Sequence, residues 1–213
     1  MDPKVRDRTS EELLVRKREF LKICDILDNL KITYFLTSGI LLGAIRDNDL
    51  IKWDWDIEIS VFSNEFLPNI DLISNKLQES KFKIDKIIRN KDNLKIDFIG
   101  SYSKEVTAYT IYAYKYSKMR NVYWRKELSI PSRFLENFST INFLGRKFNC
   151  PINLNDYLTF VYGDWKKPLR TSNKKVYLTK NYKKKTSFLT IYVEKFLMKI
   201  YSYAIMIKKL LRL

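Results

Sequence analysis

Histidine is absent from this 213-residue chain, so no metal can sit on imidazole and no imidazole can act as a general base. A metal would need oxygen ligands, which favours Mg²⁺, Mn²⁺ or Ca²⁺. Acid–base chemistry falls to Asp, Glu, Lys or Tyr. Two cysteines cannot build a disulfide framework. Five glycines and five prolines exclude collagen-like and low-complexity chains. The opening residues Met1-Asp2-Pro3-Lys4 lack the apolar run of a signal peptide. The expected location is therefore cytoplasmic, with both thiols reduced and Cys24 in the core.

Acid is scarce in one region only. Residues 166–213 carry 14 Lys/Arg and a single acid, Glu194, whereas residues 1–165 carry 26 Lys/Arg and 23 acids. The net charge of +16 therefore belongs mostly to the C-terminal end. We divide the chain into a nearly balanced domain over 1–170 and a basic segment over 171–213. With 46% hydrophobic and 15% aromatic residues, the first part can bury a substantial core. The basic segment points to an anionic partner: a membrane surface, a nucleic acid or an anionic glycan. Over 187–213 apolar side chains dominate, with polar residues on a narrow stripe. Glu194, Lys195 and Lys199 interrupt it, so it is a poor membrane span. It suits an amphipathic helix lying on an anionic membrane, or one packed against protein.

Periodicity predicts a helix over 10–30 with Ser10 as its cap, a strand over 31–36, and a short helix from Ile40 to Arg46. A strand over 56–61, a helix over 65–79 and three meander strands over 82–88, 94–99 and 106–114 follow. Residues 115–150 give no clear pattern. A helix over 155–162 ends at Gly163.

The chemistry concentrates in Trp53-Asp54-Trp55-Asp56-Ile57-Glu58-Ile59. On a strand, residues two apart point the same way, so Asp54, Asp56 and Glu58 share a face. Three acids together repel one another, and burial adds to the cost. A divalent cation resolves both; an exposed strand edge resolves them without function. Just upstream, Ser38-Gly39 opens a helix whose N-terminal N–H groups can approach a phosphate. Arg46 can pair with a phosphate or with the acids. Asp97, between Ile96 and Phe98, completes the site if its strand lies beside the first. The aromatic run Tyr109, Tyr112, Tyr114, Tyr116, Tyr123 and Trp124 reads either as sheet core or as a platform for a base, a sugar or a choline cation.

These residues resemble the LicD/fukutin family. The stretch Gly39-Ile40-Leu41-Leu42-Gly43-Ala44-Ile45-Arg46, then Ile51-Lys52-Trp53-Asp54-Trp55-Asp56-Ile57-Glu58, is similar to the family's G-T-L-L-G-A-x-R element followed by D-x-D-h-D. Ile96-Asp97-Phe98 looks like its later Asp-bearing strand. Tyr162-Gly163-Asp164-Trp165 looks like its closing Y-G-x-W. Departures are Glu58 for a usual Asp, Trp55 for an often acidic residue, Ile40 for Thr, Lys52 for Pro and Asp47 for an often-found His. The resemblance implies an α+β, nucleotidyltransferase-like fold: a mixed β-sheet flanked by helices, here followed by the basic C-terminal amphipathic helix. It implies a Mg²⁺- or Mn²⁺-dependent phosphotransferase. Such an enzyme moves a phosphorylated alcohol, of the phosphocholine or polyol phosphate type, from a CDP-linked donor to a hydroxyl of a cell-surface glycan or glycolipid. The setting would be lipopolysaccharide or capsule biosynthesis. Metal ligands would be Asp54, Asp56, Glu58 and Asp97. Asp56, Glu58 and Asp97 would be catalytic, and Ser38, Gly39 and Arg46 would bind substrate. Residues 187–213 would touch an anionic membrane from the cytoplasmic side, with no nucleic acid partner expected. The acids alone serve equally a nucleotidyltransferase using an NTP. Asp54-Trp55-Asp56 also fits the D-x-D of a glycosyltransferase. A non-catalytic basic binding protein would use the tail instead.

Overall fold

A capping box starts the first helix, α1 (Ser10–Asn29): Thr9 accepts the Glu12 N–H, and the Glu12 carboxylate accepts the Thr9 N–H. Thr9, not Ser10, is the cap, because Thr9 is the residue with a Glu three places on. In this computed structural model residues 5–100 and 107–182 are described, together with Phe196 and Ile200. The amphipathic helix expected over 187–213 otherwise lies outside the described residues. After α1 the chain turns at Lys31, which has φ +56°. That turn leaves strand β1 only Tyr34–Phe35 of the expected 31–36. There follow α2 (Ser38–Arg46), β2 (Asp56–Phe62), α3 (Ser63–Glu79), β3 (Lys83–Arg89), β4 (Leu94–Ile99) and β5 (Ala108–Ser117). The unclear 115–150 stretch holds two hairpins, β6 (Val122–Arg125) with β7 (Leu128–Pro131) and β8 (Phe138–Phe143) with β9 (Arg146–Pro151). Helices α4 (Leu154–Tyr162) and α5 (Lys174–Tyr177) complete the described elements.

The main sheet runs β1-β2-β5-β4-β3, with β6 and β7 extending from β5. Strands β2 and β5 are parallel and the other pairs antiparallel, so the sheet is mixed. Its register gives the two faces opposite characters. On one, Ile57, Tyr109 and Phe98 lie side by side, then Ile59, Ile111 and Ile96. All six are buried beneath α3, against which α1 packs. Each such side chain taken from water contributes roughly 1.5–3 kcal/mol. The opposite face carries Glu58, Thr110 and Asp97 in one row and Ser60, Tyr112 and Lys95 in the next. One strand alternation thus makes both the core and the polar floor of a site. The fold is the expected α+β arrangement of a mixed sheet flanked by helices.

The basic stretch begins as part of this body. Leu178 and Tyr182 are buried in the core. The Thr179 N–H donates to the Val161 carbonyl at 2.9 Å, and the Ser129 N–H to that of Tyr182 at 3.0 Å. Both cysteines are free and buried, Cys24 in the core as expected. Among the described residues no helix is long and apolar enough to cross a membrane.

Candidate active site

Two glycines shape the approach to the acids. A Cβ on Gly43 would run into the Asp49 carbonyl, so glycine lets the turn before β2 lie against α2. A Cβ on Gly39 would overlap the Asp54 carboxylate, so glycine makes room for that acid over the start of α2. Strand β2 begins only at Asp56. Asp54 therefore reaches the site from the preceding turn, where its N–H donates to the Ile51 carbonyl at 3.1 Å. Ser38 sits at φ +54°, a left-handed conformation seldom adopted by residues with a Cβ. Such strain gathers where function demands a fixed geometry. The N-cap Thr37 gives α2 no side-chain cap; its hydroxyl is 2.6 Å from that of Ser60 instead.

Asp54, Asp56 and Glu58 line one cavity of about 140 Å³ together with Ser38, Gly39 and Arg46. Trp53, Trp55, Tyr162, Trp165 and Tyr177 supply aromatic walls, and Arg125, Lys167 and Lys174 add three further cations. The three acids do not behave alike. Burial pushes Asp54 up to about 6, opposed by Arg16 and reinforced by Glu58. Burial also raises Asp56 well above its ordinary range, and its neighbours Asp54 and Glu58 add to the rise. Burial is the largest single influence on Glu58 and would raise it as well, but the charges of Arg125 and Lys174 and the hydrogen bonds from Arg125 and Ser38 together outweigh it and hold it below its usual value. The Arg125 guanidinium is 4% exposed and donates from Nη2 to Glu58 Oε2 at 2.7 Å. It also lies 3.8 Å from the centre of the Tyr112 ring.

Asp97 is placed differently from the other predicted acids. Strand β4 is not the neighbour of β2, because β5 runs between them. Thr110 of β5 stands between Glu58 and Asp97 in the row. The Thr110 hydroxyl donates to Asp97 Oδ1 at 2.8 Å, and Lys95 pairs with Oδ2 at 2.5 Å. Asp97 is not among the residues lining the cavity. Arg46 does line it, but is paired with Asp47 through two bonds of 2.8 Å and lies over Trp53. Of the aromatic run, Tyr109, Tyr114 and Trp124 are buried as sheet core, and Tyr112 is the seat of Arg125.

Four site residues escaped the sequence reading. Arg125 lay in the stretch without pattern, and Lys174 and Tyr177 lay in the presumed tail. Arg16 left a signal: it falls on the apolar stripe Leu13, Phe20, Ile23, Leu27, where a charge is out of place. Its Nη1 donates to the Asp54 carbonyl at 2.6 Å and its Nη2 to that of Asp56 at 3.2 Å.

The carboxylates offer a divalent cation a small donor set. Among the described residues no group of three or more acids or thiols is gathered to hold a metal. Glu58 is taken by Arg125, which leaves the Asp54–Asp56 pair, both crowded by negative charge. One or two carboxylates, completed by water and substrate phosphate, is how Mg²⁺ is usually bound, so this chemistry fits.

A family model described as LicD/FKTN/FKRP, nucleotidyltransferase domain, matches residues 31–153. Human ribitol 5-phosphate transferase FKRP is 23% identical over 149 residues, covering 66% of this chain and 30% of its own length. Mouse ribitol-5-phosphate transferase FKTN is 26% identical over 176 residues, covering 78% of this chain and 37% of its own length. The chain thus spans about a third of the length of these curated relatives. The solution structure of antibiotic-resistance factor ANT(2'')-Ia covers 92% of this chain and 98% of its own, at a TM-score of 0.46 and 12% identity.

Proposed function

The chain belongs to the LicD/FKTN/FKRP nucleotidyltransferase-domain family, and from that premise we propose that it is a divalent-metal-dependent transferase of phosphorylated alcohols. The donor would be a CDP-linked alcohol, the acceptor a hydroxyl of a glycan or glycolipid, and CMP the product released. One observation carries the reading: Asp54, Asp56 and Glu58 open onto a single cleft beside the start of α2, with Arg125 and Lys174 in the same walls. Like-charged carboxylates beside phosphate-sized cationic sites suit a substrate that brings its own metal-bridged negative charge.

In this reading Asp54 and Asp56 hold Mg²⁺ or Mn²⁺, and Glu58 stays with Arg125. When bound, the cation would neutralise charge on the pyrophosphate oxygens. Lys174 and the N–H groups at the start of α2 hold the phosphates. Trp55 and Tyr177 flank the donor and exclude water. The acceptor oxygen forms a bond to the alcohol-bearing phosphorus as the bond from that phosphorus to the CMP oxygen breaks. The acceptor's proton passes to Asp56, and CMP departs with the electron pair. Asp97 would have to shed Lys95 to take that proton. Contact with an anionic membrane would fall to the basic, apolar-rich residues 187–213.

Thermal unfolding of wild type and Asp56→Asn with Mn²⁺ and CDP-choline, CDP-ribitol, CDP-glycerol or CTP tests this. A ligand at about 100 times its Kd stabilises by roughly 2.7 kcal/mol, a shift of several degrees. A metal-dependent shift with one CDP-alcohol, absent in Asp56→Asn, is expected, and transfer of its labelled alcohol phosphate should vanish with it. A shift with CTP alone would replace the proposal with nucleotidyl transfer. Normal turnover by folded Asp56→Asn would remove the acids from the mechanism.

A further inference from the structure

Arg16 sits where a helix facing a core should carry a hydrophobe. It is 2% exposed, on the same stripe of α1 as Leu13, Phe20 and Leu27. Its Nε is buried and meets no partner among the described residues. A buried polar group left so costs roughly 1–3 kcal/mol, and a well-packed apolar side chain often stabilises a core better than a buried charge. Core stability alone therefore does not account for arginine here.

What the guanidinium touches does. Its two terminal nitrogens donate to the main-chain carbonyls of Asp54 and Asp56 at 2.6 and 3.2 Å. These are the two residues whose carboxylates remain for a cation once Arg125 has taken Glu58. Asp54 lies on a turn and Asp56 on the first position of a strand; the Asp54 carboxylate accepts from the Trp55 and Asp56 N–H groups, but no ladder holds the two carbonyls relative to one another. A planar fork donating to both carbonyls does so, and it does so against the repulsion of the two acids. Lysine presents its three N–H groups from one tetrahedral point and lacks the planar fork that matches two separated carbonyls. Arg16 also lies before residues 31–153, outside the stretch that the family model matches.

We propose that Arg16 is a positioning residue: it clamps the Asp54 and Asp56 backbones so that their carboxylates keep the spacing a divalent cation needs. This rests on the metal-dependent reading above. Groups that orient ligands from behind typically set metal affinity by about 10- to 100-fold.

The test uses the full chain as wild type, Arg16→Lys and Arg16→Met. Mn²⁺ affinity is measured by calorimetry, and amide hydrogen exchange is followed over residues 54–57, with urea unfolding as the fold control. Wild type should bind Mn²⁺. Arg16→Lys should unfold at a similar urea midpoint, exchange faster at 54–57, and bind Mn²⁺ about 10- to 100-fold more weakly, with Arg16→Met at least as weak. A folded variant of either kind binding within twofold of wild type would overturn the proposal. Failure of both variants to fold would also overturn it, by assigning Arg16 to the core. Wild type that binds no Mn²⁺ would overturn the metal reading itself and the inference with it. That outcome is recognisable because it appears before any substitution is made.

Discussion

Replacing Arg125 by methionine isolates the strongest ion pair of the cleft. Its guanidinium is 4% exposed and the Glu58 carboxylate 13%, with 2.7 Å between them. Removing one partner of a buried pair leaves an uncompensated charge and typically costs roughly 3–5 kcal/mol. The lost contact with the Tyr112 ring is part of that figure. Lys174 still acts on Glu58 and pulls the cost toward the lower end. For a chain of this length about 2–4 °C follows each kcal/mol, so Tm should fall by about 6–20 °C at pH 7.5. The pH dependence has a definite sign. In wild type Glu58 titrates below its ordinary 4.5, so its contribution is full above that value and is lost as pH falls through the depressed one. Without Arg125, burial and the neighbouring acids raise Glu58, so the variant suffers most at high pH and recovers as Glu58 protonates. The Tm gap should therefore narrow from pH 7.5 to pH 4.5. Urea unfolding of wild type, both single variants and Glu58→Gln/Arg125→Met closes the cycle, and the double variant should regain most of the loss. A loss below about 1 kcal/mol at pH 7.5, or a double variant no better than Arg125→Met, would refute the pairing as described.

Two further outcomes follow from the same acids. Asp54 and Asp56 bind protons more tightly folded than unfolded, so metal-free protein should lose stability as pH rises from about 4 through about 6. Mn²⁺ should cancel that loss and Asp56→Asn should reduce it; urea midpoints at pH 4.5, 5.5, 6.5 and 7.5 check the slope, and a midpoint rising over that range in EDTA would contradict it. Gly39→Ala should leave the fold within about 1 kcal/mol of wild type by urea unfolding, since the Cβ meets only the Asp54 side chain. It should weaken Mn²⁺ binding by displacing that carboxylate, and unchanged calorimetric affinity would show that Asp54 is not a ligand.

How far the site was legible depended on whether a residue's role was local. Asp56 and Glu58 were readable because strand alternation sorts polar from apolar side chains over a few residues, and β2 obeys it from Asp56 onward. The Gly163 cap at the end of α4 was readable for the same reason. Asp54 lines the same cleft by another route than alternation predicts, since it arrives on a turn rather than on the strand. Asp97 depended on which strands are neighbours, and alternation says nothing of that: the same pattern serves whether β4 or β5 lies against β2. Arg125 and Lys174 depended on contacts across 67 and well over a hundred positions, which no window of sequence records.

Arg16 is the instructive case, because a local rule did register it as an exception. A helix stripe of Leu13, Phe20, Ile23 and Leu27 with an arginine in its midst has two physical outcomes. Either the long side chain escapes to water along the helix, or it stays buried and finds enough acceptors to offset its desolvation. At 2% exposure the second has happened, and its terminal nitrogens donate to the carbonyls of two acids that a core has no use for. The family match begins at residue 31, yet the cation that steadies those acids comes from the helix before it, and the aromatic and cationic walls come from residues 162–182 after it. The segments on either side of the matched stretch are therefore part of the cleft. Substitutions in them should alter metal affinity and donor choice rather than stability alone.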